Sequence, residues 1–560
     1  MIDWKEIFQR SNFWAVQYAR KAIQRAREKG KDHVTVKCAA TPSGVLHIGN
    51  ANEVIRSYFI AKSIEMLGFK AKVIYTSDDR DPLRSIPKTI LDKDGNLIST
   101  PKEILEEFKK YFGKPVCLVP DPFKCHSSWS EHFLYFFFEG LRKLGILDVI
   151  DFEYYSPNVL YFNGVYDEIL KFVLENKDKI EAFLREFKEH PIVYNVLCEN
   201  CGRITAKLIS FDGEKVEYIC ERRVLGDEDR IAEGCGYHGK THFRYGKLPW
   251  HLEWAAQWKI FDADIEPFGK EHLESYKISK PIAEKIFGIK APIPVMYEFF
   301  LVNGEKMSSS KGNVYDINFL LRFLEPEVIL YLYTKRPNMQ RNIDLKNIHL
   351  LVDEWDRLEE KVLKTLELLE KGEIDIEQLK DRKDVANYEE LVIYYLCMRG
   401  EIKRRVKIPY TFAAIIGQLL KEERKIFEVL LRTGHITRNI SEENWKFILE
   451  RIEKASYWAK HFAPEIYKVR IIEEKVDINL DEKDKETLRK IKEFIENNEN
   501  WEVDYVQTEI HRIIKETNDP KKFYKKLYKI FLGKEAGPKI GTLISVIGKE
   551  KALEVINRYL

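Results

Sequence analysis

Thr41-Pro-Ser-Gly-Val-Leu-His-Ile-Gly-Asn50 decides how this chain is read. An apolar run from Val34 to Ala40 precedes it, with the length and β-branched content of a buried parallel strand. A helical pattern follows through Val54, Ile55, Tyr58 and Met66, Gly68 stops it, and Ala71 to Thr76 reads as a second strand. Strand, turn, helix, strand is one half of a doubly wound α/β nucleotide fold, and its first turn lies where such sheets bind ligands. Gly44 and Gly49 let a ligand approach the backbone, and the helix N-terminus offers unpaired N–H groups to phosphate. His47 and Asn50, three residues apart, share one helical face.

A second segment answers the first. Lys306-Met-Ser-Ser-Ser-Lys-Gly-Asn313 follows the apolar run Tyr297 to Val302 and an Asn303-Gly304 turn signal. Two amines, three hydroxyls and a glycine suit a triphosphate whose charge grows as pyrophosphate leaves.

Together the two segments resemble the two signature motifs of class I aminoacyl-tRNA synthetases. Thr41-Pro-Ser-Gly, Asp121-Pro-Phe-Lys-Cys-His126, Gly269-Lys-Glu-His272 and Met296-Tyr-Glu-Phe299 resemble the lysyl branch of that class, found mainly in archaea and some bacteria. The resemblance runs from about Trp4 to the C-terminus. It implies a Rossmann-type catalytic domain over 1–295, with a zinc-binding insertion at about 150–245 whose metal site lies within 198–238. A connecting domain carrying the second signature loop (296–345), a helical bundle (346–400) and an all-α anticodon-binding cage (401–560) would follow.

The implied reaction has two steps. Lysine attacks the α-phosphate of ATP to give lysyl-adenylate, and a terminal ribose hydroxyl of tRNA(Lys) then takes the lysyl group, with Mg2+ as cofactor. Carried over residue by residue, the resemblance implies catalytic roles for His47, Asn50, Lys306, Ser308, Ser309 and Ser310. ATP would be bound by Pro42, Ser43, Gly44, His47, Gly49, Asn50, Lys306 and Met307. The lysine pocket would comprise Ala39, Thr41, Trp250, His272 and Tyr297, with Asp79 or Asp81 at the end of the second strand as a carboxylate for the ammonium. Two positions depart from the family: Ala39 stands where it usually has glycine, and Ser309 where the second motif usually has lysine. The signatures fix ATP use and not the amino acid, so glutamate or arginine is the alternative substrate. A zinc-bearing RNA-binding protein without activity is the alternative of another class.

Composition bounds the rest. With 560 residues, 92 basic against 90 acidic side chains and a net charge of +2, the chain has room for three or more domains, and any nucleic-acid contact must use local basic patches. No stretch of eighteen apolar residues occurs and the N-terminus lacks a signal pattern, so a cytoplasmic protein with no membrane contact is expected; a monomer is the expected state. Four of eight cysteines fall at 198, 201, 220 and 235, after a Cys-x-x-Cys-Gly turn and around an Asp212-Gly213 hairpin signal, which reads as a structural zinc site. Fourteen residues separate the last two, which leaves open whether His238 replaces Cys220 or Cys235. Cys125 beside His126 could suggest a nucleophile or, with His132, a metal site, but adjacent residues point apart on a helix and no third ligand has natural spacing, so the segment reads as having a structural role or forming a helix entry. Trp250, Trp254 and Trp258 at four-residue spacing form a stripe of mainly core character. The region from 90 to 114 reads as a surface excursion contributing little, and Lys403 to Lys407 as a basic run in a helical C-terminal half.

Overall fold

The computed structural model describes residues 2–225, 231–307 and 312–560, so Ser308, Ser309 and Ser310 lie outside the described residues. Five strands form the central sheet: β1 His33–Ala39, β2 Lys70–Thr76, β3 Phe152–Tyr155, β4 Ile265–Gly269 and β5 Ile293–Tyr297. Their order is β5-β4-β1-β2-β3, and every pairing is parallel. Six of the seven residues of β1 are buried, as a strand covered on both faces requires. The order reverses at β1, so the crevice beyond its carboxyl end is the topological switch point of a doubly wound sheet.

The helix Ile48–Met66 springs from that crevice. Its buried residues surround the axis and include Asn52, Glu53, Arg56 and Ser57, so it is sunk in the core instead of lying on it. The N-terminal region is two helices, Trp4–Arg10 and Trp14–Glu28. Ser11 interrupts them, its hydroxyl accepting from the Phe13 N–H at 3.1 Å.

The excursion at 90–114 is more than surface. Ile90, Leu91, Ile104, Phe108, Val116 and Trp129 bury a core of their own. Sequence reading missed it because the apolar residues sit in a hairpin and short helical turns with no sustained period. The insertion carries a five-stranded antiparallel sheet, with Ala206–Phe211 and Lys215–Ile219 paired across the Asp212-Gly213 turn as expected.

The chain divides into two compact units: Met1–Leu320 with Ile329–Ile343 and Glu360–Glu401, and Leu321–Val328 with Asp344–Glu359 and Ile402–Leu560. The second is helical throughout its C-terminal part, from Tyr410–Leu419 to Ile540–Asn557. Part of the Lys403–Lys407 run turns inward there: Arg405 pairs with Glu327, and Lys407 with Asp356 at 2.8 Å and with Glu359. Among the described residues no helix is long and apolar enough to cross a membrane.

Candidate active site and metal clusters

The first signature turn closes on itself. His47 caps the helix: its Nδ1 accepts from the Gly49 N–H at 3.0 Å, while its own N–H donates to Asn50 Oδ1 at 3.1 Å. A Cβ at Gly49 would lie 2.6 Å from the imidazole Cε1, so glycine is what lets the ring fold back. Burial, with the Lys306 ammonium adding to it, lowers the His47 pKa to about 4. The ring is therefore neutral near pH 7, and with Nδ1 accepting, its proton sits on Nε2, free to donate to a phosphate oxygen. The Asn50 amide Nδ2 is a second donor on the same turn.

The second segment meets the first. Met307 Cε lies 3.7 Å from the position a Gly49 Cβ would take, and Lys306 Nζ rests 3.4 Å from the centroid of the Phe299 ring. After the undescribed stretch the chain returns to the same place, since Ile48 N–H donates to Tyr315 O at 2.8 Å and Thr89 Oγ1 to Gly312 O at 2.8 Å.

Beside this turn lies a cavity of about 580 Å³, lined among others by Ala39, Thr41, Glu53, Asp78, Asp81 and Trp250, with Trp254, Glu266 and His272. Trp250 stacks on Trp254 with centroids 5.0 Å apart, and His272 sits 6.0 Å from Trp250. The tryptophan stripe divides by role: Trp254 and Trp258 are buried with both indole N–H groups donating to Glu266, and Trp250 stays half-buried at the wall. Tyr297 OH donates to Glu53 Oε1 at 3.2 Å, and the Ala39 N–H to Glu53 Oε2 at 2.9 Å.

Asp79 does not join this cavity. It accepts from Ser156 Oγ and from the Asn158 N–H, tying the loop after β3 to β2, and its neighbours Asp78 and Asp81 line the cavity instead. Asp78 adopts φ 45°, accepts from Gln257 Nε2 at 3.0 Å, and is pushed up to about 7 by burial. Asp81 pairs with Lys247, which also holds Glu253. Thr41 Oγ1 reaches Asp81 at 3.4 Å, Pro42 is buried, Ser43 is exposed, and Gly44 packs under Pro87.

Among the described residues, two clusters have ligand atoms within 4.8 Å of one another. In the first, Cys198 and Cys235 Sγ are 3.6 Å apart, as are Cys201 and Cys220 Sγ. Four thiolates about 2.3 Å from a zinc ion stand roughly 3.8 Å apart in a tetrahedron, whereas a disulfide closes to about 2.05 Å, so the set fits the metal. His238 lies outside it, 3.2 Å from Glu217 on the antiparallel sheet.

The second cluster is Asp121, Cys125, His126 and His132, in the segment read from the sequence as having a structural role or forming a helix entry. Cys125 Sγ is 3.1 Å from Asp121 Oδ2, 3.2 Å from His126 Nδ1 and 3.4 Å from His132 Nδ1. His132 Nε2 lies 2.9 Å from Leu91 O, which places the proton there and leaves Nδ1 for the cluster. Helix-face reasoning failed because 121–126 is not helical: Lys124 has φ 58°, and the helix begins at Trp129.

A parallel nucleotide sheet with a capped His-Ile-Gly-Asn turn at its switch point, approached by a Lys-Met segment from far along the chain, defines a class I synthetase site. The family model described as "tRNA synthetases class I (K)" matches residues 12–383, and one described as "Anticodon binding domain" matches residues 439–560. A lysine–tRNA ligase of Haloarcula marismortui is 33% identical over 559 residues, covering 98% of this chain and 97% of that protein. Lysine–tRNA ligases of Pyrococcus horikoshii and Methanocaldococcus jannaschii are each 33% identical, covering 96% and 98% of this chain and 97% and 99% of their own lengths. The chain belongs to the class I tRNA synthetase (K) family, a family of ligases that use ATP and Mg2+.

Proposed function

We propose that the protein is a lysine–tRNA ligase that forms lysyl-adenylate in the crevice beyond β1 and passes the lysyl group to tRNA(Lys). The observation that carries this reading is the meeting of two segments about 260 residues apart, Met307 against Gly49 and the Lys306 charge beside His47. No protein nucleophile is needed. His47 Nε2 and Asn50 Nδ2 donate to phosphate oxygens as the lysine carboxylate attacks, and Lys306 with the Ser308–Ser310 hydroxyls draws charge onto the departing pyrophosphate. Mg2+ supplies the remaining neutralisation of phosphate charge. Pro42, Ser43 and Gly44 shape the approach of ATP, while Ala39, Thr41, Trp250, His272 and Tyr297 surround the amino acid.

The four cysteines hold a structural Zn2+ in the insertion, and Asp121, Cys125, His126 and His132 form a second structural metal site. Catalysis belongs to the first compact unit and anticodon reading to the second. There, a cavity of about 720 Å³ is lined by Phe412, Tyr467, His511, Tyr524, Tyr528 and Lys539, and the helix Pro520–Leu532 exposes Lys521, Lys522 and Lys525. Aromatic faces beside cations are the chemistry that stacks unpaired bases. The enzyme acts as a cytoplasmic monomer.

ATP–pyrophosphate exchange across the twenty amino acids tests the reading. Lysine alone is expected to support exchange, and His47→Ala and Lys306→Ala each to slow it tenfold or more, on the order of 1.4 kcal/mol per factor of ten. Exchange with another amino acid, or unchanged exchange in both variants, overturns it.

A further inference from the structure

Below the first signature turn, the helix Ile48–Met66 buries an arginine. Arg56 is 1% exposed, and among the described residues no carboxylate pairs with it; its guanidinium lies 5.1 Å from the centroid of the Trp14 ring and 5.7 Å from that of Tyr297. A buried arginine ordinarily has an acidic partner, because an unpaired charge out of water is costly. Position 52, four residues back on the same face, holds asparagine in place of the isosteric aspartate. The hydrogen bonds show what the amide does that a carboxylate could not. Arg56 Nε donates to Asn52 Oδ1 at 3.0 Å, and Asn52 Nδ2 donates in turn to Gly49 O at 3.2 Å. On its other side, Arg56 Nη1 reaches the Tyr333 and Lys335 carbonyl oxygens, each at 3.4 Å, and the Tyr333 hydroxyl donates to Ile48 O at 2.8 Å. Burial raises the pKa of that phenol, so it keeps its proton. The chain of bonds thus begins on Ile48 O and ends on Gly49 O, the carbonyls of the two residues that follow His47.

The same tyrosine touches the second signature segment. Its ring packs on Phe300 with centroids 4.8 Å apart, and Phe300 opens the strand Phe300–Val302, which pairs with Glu305–Lys306 through Leu301 opposite Lys306. Trp14 adds a further tie, its indole N–H donating to Thr334 O at 2.7 Å. Resting on the adenylate chemistry read above, we propose that Asn52, Arg56 and Tyr333 are positioning residues, which hold His47 and Lys306 in one register on the phosphates without touching substrate. Where catalysis proceeds by alignment with no covalent step, a strut between the two aligned segments governs rate and leaves affinity alone. Asparagine at 52 forgoes an ion pair with Arg56 because only an amide supplies both the acceptor that Arg56 Nε uses and the donor that Gly49 O receives.

Tyr333→Phe keeps the ring on Phe300 and removes only the bond to Ile48 O. In pyrophosphate exchange its kcat is expected to fall about tenfold, less than the roughly 100-fold of a full 1 Å misplacement, with the KM for lysine and for ATP each within about twofold of wild type. In a His47→Ala background the same substitution should lower kcat by less than about twofold, since the donor it aligns is gone. Asn52→Asp gives Arg56 an anion, so thermal unfolding should come no earlier than in wild type, yet the donor to Gly49 O is lost and kcat should fall while both KM values stay. A merely structural role would not lower rate without lowering stability. Wild-type kcat in Tyr333→Phe, or an equal loss with and without His47, overturns the inference and leaves the synthetase reading standing; a wild type with no amino-acid-dependent exchange removes both. If Tyr333→Phe does not fold, Asn52→Asp decides: a lowered kcat with unmoved KM values supports the inference, and wild-type kcat overturns it.

Discussion

Gly49→Ala tests the geometry of the signature turn with one methyl group. The new Cβ would stand 2.6 Å from Cε1 and 2.8 Å from Nδ1 of His47, closer than real Cβ contacts allow, and an unobjectionable 3.7 Å from Met307 Cε. Gly49 lies within the helix Ile48–Met66 and is not among the positive-φ glycines, so alanine strains nothing in the backbone. The imidazole must give way, and it is held there by the 3.0 Å bond from the Gly49 N–H. Losing that cap costs about 0.5–2 kcal/mol of local stability, within which alanine's better helix propensity returns about 1 kcal/mol. The functional loss is larger, since displacing a catalytic donor by about 1 Å costs on the order of 100-fold in rate. Pyrophosphate exchange at saturating lysine and ATP should therefore fall 30- to 100-fold, by the same estimate about 2–3 kcal/mol, with thermal unfolding almost unchanged. Exchange within threefold of wild type would refute the claim that the ring's position matters.

The depressed pKa of His47 fixes a sign. Between about 4 in the folded protein and 6.5 unfolded, the unfolded chain binds the extra proton, so this residue's contribution to stability falls as pH drops through that window and is constant above it. Thermal unfolding measured from pH 4.5 to 7.5 should show a shallower slope in His47→Gln, and an identical slope would contradict the assignment. For the insertion, Cys201→Ser should lower the zinc content by one equivalent per chain, read by elemental analysis. It should also expose the segment from 195 to 247 to proteolysis, and an unchanged metal ratio would rule out the four-cysteine site.

The first two strands of the central sheet were legible because they are short runs rich in apolar and β-branched residues, and the helix after His47 because its apolar positions extend to Met66. The clustering of the four cysteines was nearly legible. What spacing could not say is where the chain returns after fourteen residues. The Cys220 N–H donates to Tyr237 O and the Gly236 N–H to Cys220 O, a reciprocal pair that seats Cys235 beside the other three thiols and turns His238 out onto the sheet. Asp121 was invisible as a partner of His132 because a left-handed residue at Lys124 folds the segment back, and no side-chain pattern announces it. Glu53 escaped notice for the opposite reason: in a helical pattern an acidic residue reads as a solvated face, and only the sheet packed over the helix shows that it has no solvent.

Charge shows how far composition can be carried. A net charge of +2 leaves open where a polyanion would bind. The run at Lys403–Lys407 was the obvious place in the sequence, yet Arg405 and Lys407 spend their charges on Glu327, Asp356 and Glu359, with the buried Arg451 joined to Asp356. Cations so committed cannot also neutralise phosphate without breaking buried pairs, a loss of about 3–5 kcal/mol each. A backbone contact in the second unit must therefore come from lysines whose ammonium groups remain in water. Lys521 and Lys522 are exposed on the helix that also presents Tyr524 and Tyr528 to the aromatic cavity, while Lys525 on the same helix pairs with Glu535 at 3.4 Å. On the anticodon reading proposed above, phosphate attraction and base stacking would fall on adjacent positions of one element, an arrangement that overall charge conceals.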